Sequence, residues 1–466
     1  MDAHAPAPDP ARLRALIDWL EHGLLEREAA VRLALLAALA GEHVLLVGPP
    51  GTAKSALARR LQHAFEGARW FERLLTRFSV PEELFGPLSL KALEDDRYER
   101  LTEGYLPTAG IAFLDEVFKA NSAILNALLT LLNEREFDNG CERVQTPLVC
   151  VVGATNEVPA DESLQAFYDR FLLRVPVQPV SDAGFAALLG LDDSAPGGLR
   201  PITPAERAAI TAARDAVALD GEVLDALADA RRFVREQAIA VSDRRWRQTV
   251  GLLKTAAASS GRGAVSRIDL WLLPYCLAEQ PAQLAVLSDW VHATLLGAQP
   301  LEAAWLTRAI EAFEQQFGIE CQPRQDDGES GKMALAHAIG GLEQGPGVAR
   351  MVTASLEARM LPRYGARHIA ARVSQLDEVL ARAHDHLQPL RARAAAVGQA
   401  LQQALWLPPA LAAQIAAAHA DSLRTLEALI ARLQAVRADF ATLPIDAEVT
   451  DPAPAPVRWS EAAATA

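Results

Sequence analysis

The sequence predicts an α/β fold, in which a parallel β-sheet flanked by helices is followed by a long region made only of helices. Three short apolar runs have the character of buried parallel strands, namely Val44–Val47, Ile111–Leu114 and Leu148–Val152. Helical patterns lie between these runs, and strands that alternate with helices favour a parallel sheet covered on both faces. After about Val180 no further run of this kind occurs, and one helical pattern follows another.

The helical patterns around the first strands have recognisable ends. Residues 11–40 form two amphipathic patterns, and Gly41 is a stop signal after the second. A helix is predicted from about Ala53 to Phe65, directly after the first strand and its Gly/Pro-rich loop. Another is predicted over Ser122–Leu132, between the second and third strands.

Two segments interrupt the alternation of strands and helices. Leu88–Tyr105 contains short β-like pieces and is predicted to form a hairpin inserted into a helix. Phe137–Val144 contains the dipeptide Asn139-Gly140, which is a strong signal for a hairpin turn. We therefore expect two hairpins that are additional to the sheet.

Composition divides the chain into four segments. Residues 1–190 contain the predicted strands and form an α/β core, and residues 200–296 follow a Gly/Pro/Asp-rich linker and form a separate all-α domain. Residues 297–445 are predicted to form a helical arm. Residues 446–466 are rich in Pro and Ala and are expected to be a disordered tail.

The predicted arm contains three helices, at about 301–317, 366–404 and 410–442, with a short insert at 318–365. Apolar residues recur three and four positions apart in the last two helices, which predicts an antiparallel hairpin with a coiled-coil-like seam. We expect Pro389 to kink or end the second helix.

Bulk composition excludes several classes of protein. The 466 residues carry a net charge of −14, and an acidic protein is an unlikely general partner for nucleic acid. The four cysteines form no Cys-x-x-Cys pair, which argues against a zinc site or a disulfide framework. No signal peptide and no apolar stretch of about 20 residues is present, so we expect a cytoplasmic protein without a transmembrane segment.

A Gly- and Pro-rich loop follows the first predicted strand and opens a predicted helix. Its sequence at 48–55 is Gly-Pro-Pro-Gly-Thr-Ala-Lys-Ser, a phosphate-binding pattern in the context that confirms one. Backbone N–H groups of the loop would surround nucleotide phosphates, Lys54 would reach the β- and γ-phosphates, and the Ser55 hydroxyl would bind Mg²⁺. The residues expected to bind the nucleotide here are Gly48, Gly51, Thr52, Ala53, Lys54 and Ser55. Ala53 stands where Gly is usual; because this position starts the helix, we expect Ala to suit the backbone.

The loop alone could be a strand–helix turn that binds nothing, but two other strands end in polar residues. The second strand ends in Asp115 and Glu116, and the third ends in Ala-Thr-Asn with Asn156 last. Carboxyl ends of strands line the crevice where open α/β sheets bind ligands. Asp115 would hold the Mg²⁺ shell, Glu116 would orient or deprotonate the attacking water, and Asn156 would position that water.

Together these three motifs resemble those of AAA+ ATPases. Further strings resemble the MoxR branch, and most of all its RavA subgroup, which also carries Ala in the phosphate loop. These strings are Thr76-Arg77-Phe78-Ser79, Glu83-Leu84-Phe85-Gly86-Pro87-Leu88, Gly104-Tyr105-Leu106-Pro107, Asn133-Glu134-Arg135 and Tyr168-Asp169-Arg170-Phe171. The resemblance covers about residues 11–300 and fades beyond them.

The resemblance implies a hexameric ring built from an AAA+ core, an all-α lid and a C-terminal helical arm, with ATP and Mg²⁺ as ligands. Arg170 matches the arginine finger that reaches a neighbouring subunit's γ-phosphate, and Arg244 matches the sensor 2 position of the lid. Leu25 lies in the segment that packs on adenine, and Asn156 matches sensor 1. Without the family motifs, Arg170 and Arg174 could be solvated charges, and Arg244 with its neighbours Arg245 and Arg247 could be a surface cluster.

Two functions remain open. One is ATP hydrolysis that drives chaperone-like remodelling of a protein client, together with a ViaA-like partner that contains a von Willebrand factor A domain. The alternative is a nucleotide-gated scaffold in which the ATP state controls assembly. A GTPase is not favoured, because no Asn-Lys-x-Asp motif occurs. In the RavA subgroup a β-rich domain interrupts the arm and binds a lysine decarboxylase; the insert at 318–365 is too short for that domain, so we do not expect this binding.

Overall fold

The computed structural model describes residues 8–159, 161–191, 197–296, 303–322, 363–449 and 452–459. These residues fall into two compact units. The first unit comprises Met1–Gln299 and Val397–Ala416, and the second comprises Pro300–Ala396 and Ala417–Ala466. The predicted insert at 318–365 lies largely outside the described residues.

A parallel sheet of five strands forms the centre of the first unit, in the order β2-β3-β6-β1-β7. The strands of the chain are β1 (His43–Val47), β2 (Trp70–Leu74), β3 (Ile111–Asp115), β4 (Glu136–Asn139), β5 (Glu142–Gln145), β6 (Cys150–Thr155) and β7 (Phe171–Pro176). The α/β fold class and the three predicted strands are confirmed. The strands β2 and β7 were not predicted.

Helices cover both faces of the sheet. Alternate residues of β1 enter different cores: Val44 and Leu46 pack with α1, α2 and α3, whereas Leu45 and Val47 pack with α6. The helices of this unit are α1 (Pro10–Glu21), α2 (Glu28–Ala40), α3 (Lys54–His63), α4 (Pro81–Phe85), α5 (Leu90–Glu94), α6 (Ser122–Glu134), α7 (Glu162–Tyr168), α8 (Asp182–Leu189), α9 (Pro204–Ala216), α10 (Gly221–Glu236), α11 (Asp243–Ser259), α12 (Leu273–Leu277) and α13 (Pro281–Trp290).

The two predicted hairpins differ in outcome. β4 and β5 pair antiparallel around Gly140, whose φ of +68° suits the tight turn, so this hairpin is confirmed. The hairpin predicted over Leu88–Tyr105 is reduced to one antiparallel bridge between Leu88 and Arg100, and helix α5 lies between them. Ser89 caps α5 by accepting a hydrogen bond from the backbone of Ala92, which favours helix over strand here.

The second unit contains α14 (Ala304–Glu320) and parts of two long helices, α15 (Ala366–Gln403) and α16 (Pro409–Ala441). Their apolar faces form one core of their own. We expected Pro389 to kink or end this helix, and the expected end is wrong, because helix α15 continues through Pro389. Pro389 is exposed, and the carbonyl that loses its helical donor can therefore bond to water, while the buried side chain of Leu387 holds this turn in the core.

The tail also departs from expectation. Residues 452–459 were expected to be disordered, but Val457 and Trp459 pack against the core of the second unit. Arg372 donates a hydrogen bond of 2.7 Å to the carbonyl of Ala455. The apolar and aromatic side chains of this Pro/Ala-rich stretch therefore attach it to the core of the second unit. Across the described ranges, no helix is both long enough and apolar enough to cross a bilayer.

Candidate functional site

The loop after β1 has a fixed backbone. Gly48 donates its N–H to the carbonyl of Thr155 at 3.0 Å, and a Cβ at this position would lie 2.0 Å from the carbonyl oxygen of Val177. Only glycine fits such a close approach. Gly51 then turns the chain with a φ of +79°. The loop is therefore held between the ends of β6 and β7 before α3 begins.

Ala53 precedes α3 with a φ of +65°, which is the left-handed backbone conformation. The expectation that Ala53 lies on helical backbone that suits alanine is therefore wrong. For an L-residue this conformation costs about 1–2 kcal/mol, because Cβ approaches the following carbonyl oxygen. The helix itself starts one residue later, at Lys54.

Lys54 is 8% exposed, and its ammonium donates to the carbonyls of Gly48 and Pro49, both at 2.8 Å. Burial lowers the pKa of Lys54, while the nearby carboxylates of Asp115 and Glu116 act in the opposite direction. These carbonyls hold the ammonium beside the loop, where a phosphate group could replace them as its partner.

Arg27 was not among the predicted site residues, yet it braces the loop. It is 6% exposed, and its guanidinium donates to the carbonyl of Thr52 at 3.1 Å and to that of Gln178 at 2.6 Å. The Thr52 hydroxyl in turn donates to the carbonyl of Pro49 at 2.9 Å. Leu25 is half-buried two residues before Arg27, in the segment that this arginine ties to the loop.

The predicted acidic and amide residues meet at the carboxyl ends of adjacent strands. Asp115 ends β3, and Asn156 follows β6 directly. The Asn156 amide donates to Oε1 of Glu116 at 2.6 Å, and Nζ of Lys119 lies 3.2 Å from Oε2 of the same carboxylate. The backbone of Glu116 has a φ of +51° and donates its N–H to Oδ1 of Asp115. Lys119 was not predicted.

The residues present fit a magnesium ion. Asp115 uses one carboxylate oxygen on the Glu116 N–H and has a second oxygen available, and Ser55 exposes its hydroxyl in the first turn of α3. Hard oxygen donors of this kind, completed by water and phosphate oxygens, are what Mg²⁺ prefers.

Arg170 lies at the amino ends of the strands, on the side of the sheet opposite the phosphate loop. It directly precedes Phe171, whose partner in β1 is His43, the first residue of that strand, whereas the phosphate loop leaves from the other end at Val47. The five residues of β1 span four steps of about 3.3 Å, so these two ends lie about 13 Å apart. Arg244 lies near Arg170, and its positive charge adds to burial in lowering the pKa of Arg170.

Two family models and several known proteins are similar to parts of this chain. Residues 11–194 match the family model described as the MoxR domain in the MoxR-vWA-beta-propeller ternary systems, and residues 222–291 match the AAA lid domain. The uncharacterized protein MJ0079 of Methanocaldococcus jannaschii is 40% identical over 281 residues, which are 59% of this chain and 73% of that protein. MJ0812 of the same organism is 40% identical over 273 residues, 58% of this chain and 72% of that protein. The protein MoxR of Paracoccus denitrificans is 30% identical over 175 residues, 36% of this chain and 50% of that protein.

The chain belongs to the MoxR family of AAA+ ATPases. Its lid-domain match covers α10 to α13, and Arg244 stands on α11 of the same lid. Arg244 donates to Oδ1 of Asn133 at 3.0 Å, close to the end of α6.

Two other arginines of this MoxR-family chain have structural roles. Arg245 is 2% exposed and donates to Oδ1 of Asp169 at 2.9 Å and to four backbone carbonyls. Arg174 lies 3.8 Å from the centre of the Tyr168 ring, and burial lowers its pKa to about 10. Neither is a solvated surface charge. Arg170 and Arg244 are the more accessible pair, half-buried and exposed respectively.

Proposed function

We propose that this MoxR-family chain hydrolyses ATP at the site formed by Lys54, Asp115, Glu116 and Asn156. Lys54 would hold the β- and γ-phosphates in the place of its present carbonyl partners. Glu116 would orient the attacking water and accept its proton, and Asn156 would fix the direction of the carboxylate. Ser55 and Asp115 would hold Mg²⁺, which when bound neutralises charge on the phosphates. The contact between Asn156 and Glu116 carries this proposal, because it joins two separately predicted residues at the strand ends.

The direct test is the Glu116→Gln variant. It should bind ATP with wild-type affinity and lose hydrolysis by roughly 10²-fold or more, because the amide cannot accept a proton. Binding is measured with a fluorescent ATP analogue, and turnover by release of inorganic phosphate. Normal turnover in this variant would show that the catalytic assignment is wrong.

We also propose that the site is completed between subunits of a hexameric ring, with Arg170 and Arg244 acting on a neighbour's nucleotide. Within one chain, Arg170 lies at the amino end of β7, and the strands separate this end by about 13 Å from the end where the phosphate loop begins. Arg244 lies near Arg170 and donates to Asn133. A rotamer change cannot bring them to the nucleotide of their own chain. An arginine supplied in trans stabilises charge that develops in the transition state.

Mixing two inactive variants tests this arrangement. Lys54→Ala lacks its own nucleotide site but keeps Arg170. Arg170→Ala keeps its own nucleotide site but lacks the arginine that would serve the neighbouring subunit. At equal amounts, about a quarter of the interfaces would pair an intact loop with an intact finger if subunits assemble at random. Activity should therefore return on mixing. The control replaces Lys54→Ala with the double variant, which should restore nothing. If Arg170 acted within its own chain, mixing the single variants would also restore nothing.

We infer that hydrolysis remodels a protein client together with a partner that carries a von Willebrand factor A domain, and with a β-propeller protein as the third component. The match to a family model for such ternary systems supports this inference. The RavA subgroup is supported by the motif strings and by Ala53. Co-purification with a von Willebrand factor A-domain protein, dependent on ATP and preserved in Glu116→Gln, would be the expected result. Client activity that survives in Glu116→Gln would favour the scaffold function instead.

A further inference from the structure

Lys119 contacts the residue to which the proposed function gives the chemistry. Its Nζ lies 3.2 Å from Oε2 of Glu116, while Asn156 donates to Oε1, so each oxygen of the carboxylate has its own protein partner. The Glu116 side chain is 15% exposed, and the Lys119 side chain is 62% exposed. Lys119 is therefore free to leave, whereas the carboxylate stays in place.

The turn that carries Lys119 is fixed by packing. Residues Val117–Lys119 form one turn of 3₁₀-helix, in which Lys119 N–H donates to the carbonyl of Glu116 at 2.8 Å. Val117 is fully buried, and the Phe118 ring lies edge-on to Phe167 with centroids 6.0 Å apart. Glu116 itself has the left-handed backbone, which persists in a non-glycine residue only where the surroundings enforce it. The position of Lys119 relative to the carboxylate is thus a property of the folded turn.

An ammonium paired with a catalytic carboxylate favours the charged form of that carboxylate. When the carboxylate accepts a proton from water it loses its charge, and with it the attraction to the ammonium. The pair therefore stabilises the state before proton transfer and gives nothing afterwards. A contact of this kind raises the barrier to turnover unless the lysine moves away first.

We propose that Lys119 is a positioning residue that holds Glu116 in a resting state and so limits ATP turnover when no client or partner is bound. This rests on the proposed function of Glu116. Removing the ammonium should raise the client-free kcat by about two- to fivefold, the range expected for one partly exposed ion pair. KM should remain unchanged, because Lys119 acts through Glu116 rather than on the nucleotide.

The test compares Lys119→Gln, Lys119→Arg and the control Lys91→Gln, which removes an exposed lysine from α5. Lys119→Gln should raise kcat and leave KM unchanged, because the Glu116 carboxylate then has no ammonium partner to release before it acts. Lys119→Arg should behave as wild type, and so should Lys91→Gln. In a Glu116→Gln background, Lys119→Gln should change nothing.

The outcomes separate the two proposals. If the wild type and Glu116→Gln turn over ATP equally, the proposed function fails. If the wild type is active, Glu116→Gln is inactive and Lys119→Gln equals Lys91→Gln, only the resting-state role is wrong. A fall in kcat with unchanged ATP affinity also overturns it, because Lys119 would then be required for turnover.

Discussion

Ala53 offers a direct test of the backbone conformation of the phosphate loop. Its φ of +65° should make Ala53→Gly favourable, because glycine adopts the left-handed region without a steric penalty. The strain relieved is about 1–2 kcal/mol. Against this, glycine loses more chain entropy on folding, which costs roughly 0.5–1 kcal/mol. The side chain of Ala53 is exposed, so its removal leaves no cavity. We expect a net stabilisation of up to about 1.5 kcal/mol from these two terms.

The matched control is Ala56→Gly, three residues further along α3. Ala56 is also exposed, but it lies within the helix and carries only the entropic cost, roughly 0.5–1 kcal/mol of destabilisation. The two variants share this cost, so the difference between them is the strain itself, about 1–2 kcal/mol in free energy of local opening. That difference corresponds to a factor of about 5–30 in an equilibrium constant.

Native-state hydrogen exchange measures this difference locally, which matters because a chain of several units need not unfold in one step. Amides in the first turns of α3 should exchange more slowly in Ala53→Gly than in Ala56→Gly. If both substitutions reduce protection to the same extent, Ala53 is not strained and the left-handed assignment is wrong. Amides of α10, which is far along the chain, provide the internal reference.

Further predictions concern other parts of the chain. Arg12 and the cap of α9 hold the pKa of Glu206 at about 2, so its stabilising effect, at most about 3 kcal/mol, is complete above pH 4.5 and lost as the pH falls towards 2. The melting temperature of Glu206→Gln should therefore fall less steeply than that of the wild type between about pH 5 and about pH 3. Burial raises the pKa of the Cys276 thiol to about 12, so iodoacetamide at about pH 8 should label exposed Cys141 and leave Cys276 unmodified until unfolding, as peptide mass spectrometry would show. Trp406 is 2% exposed, and Trp406→Ala should destabilise the first unit by about 3–5 kcal/mol, seen as a lower urea midpoint.

The sheet could be predicted only where its strands are uniformly apolar. β1, β3 and β6 are buried along nearly their whole length and appear in the sequence as apolar runs. β2 lies at an edge of the sheet, where Phe71 is its one buried residue, and it contains Glu72 and Arg73. β7 includes Arg174, whose charge is accepted because the guanidinium packs on Tyr168 and donates to a carbonyl. Such compensation is formed only in the folded chain and leaves no local signal.

The catalytic candidates were predictable for a related reason. Asp115 ends β3, Asn156 follows β6, and Lys54 closes the loop that follows β1. Parallel strands bring their carboxyl ends to one side of the sheet whatever the intervening sequence. Arg27 was not predicted because its partners are backbone carbonyls. Every residue has such a carbonyl, so no sequence pattern marks these contacts. Lys119 is only three residues from Glu116, but charged pairs at this spacing are common on surfaces and do not mark a site.

The parallel strands place the phosphate-binding half of the proposed site at their carboxyl ends. They place Arg170, which belongs to the other half, at their amino ends. Phe118 nevertheless connects the two halves within one chain, because its ring lies 6.0 Å from that of Phe167 and 6.5 Å from that of Phe171, on either side of Arg170. Closely packed rings cannot move independently. In the proposed ring, the turn holding Glu116 serves the chain's own nucleotide while Arg170 serves the neighbour's. In that ring, we expect a displacement of the turn to reach the adjoining site through Phe118, so that the state of one nucleotide would affect hydrolysis of the next.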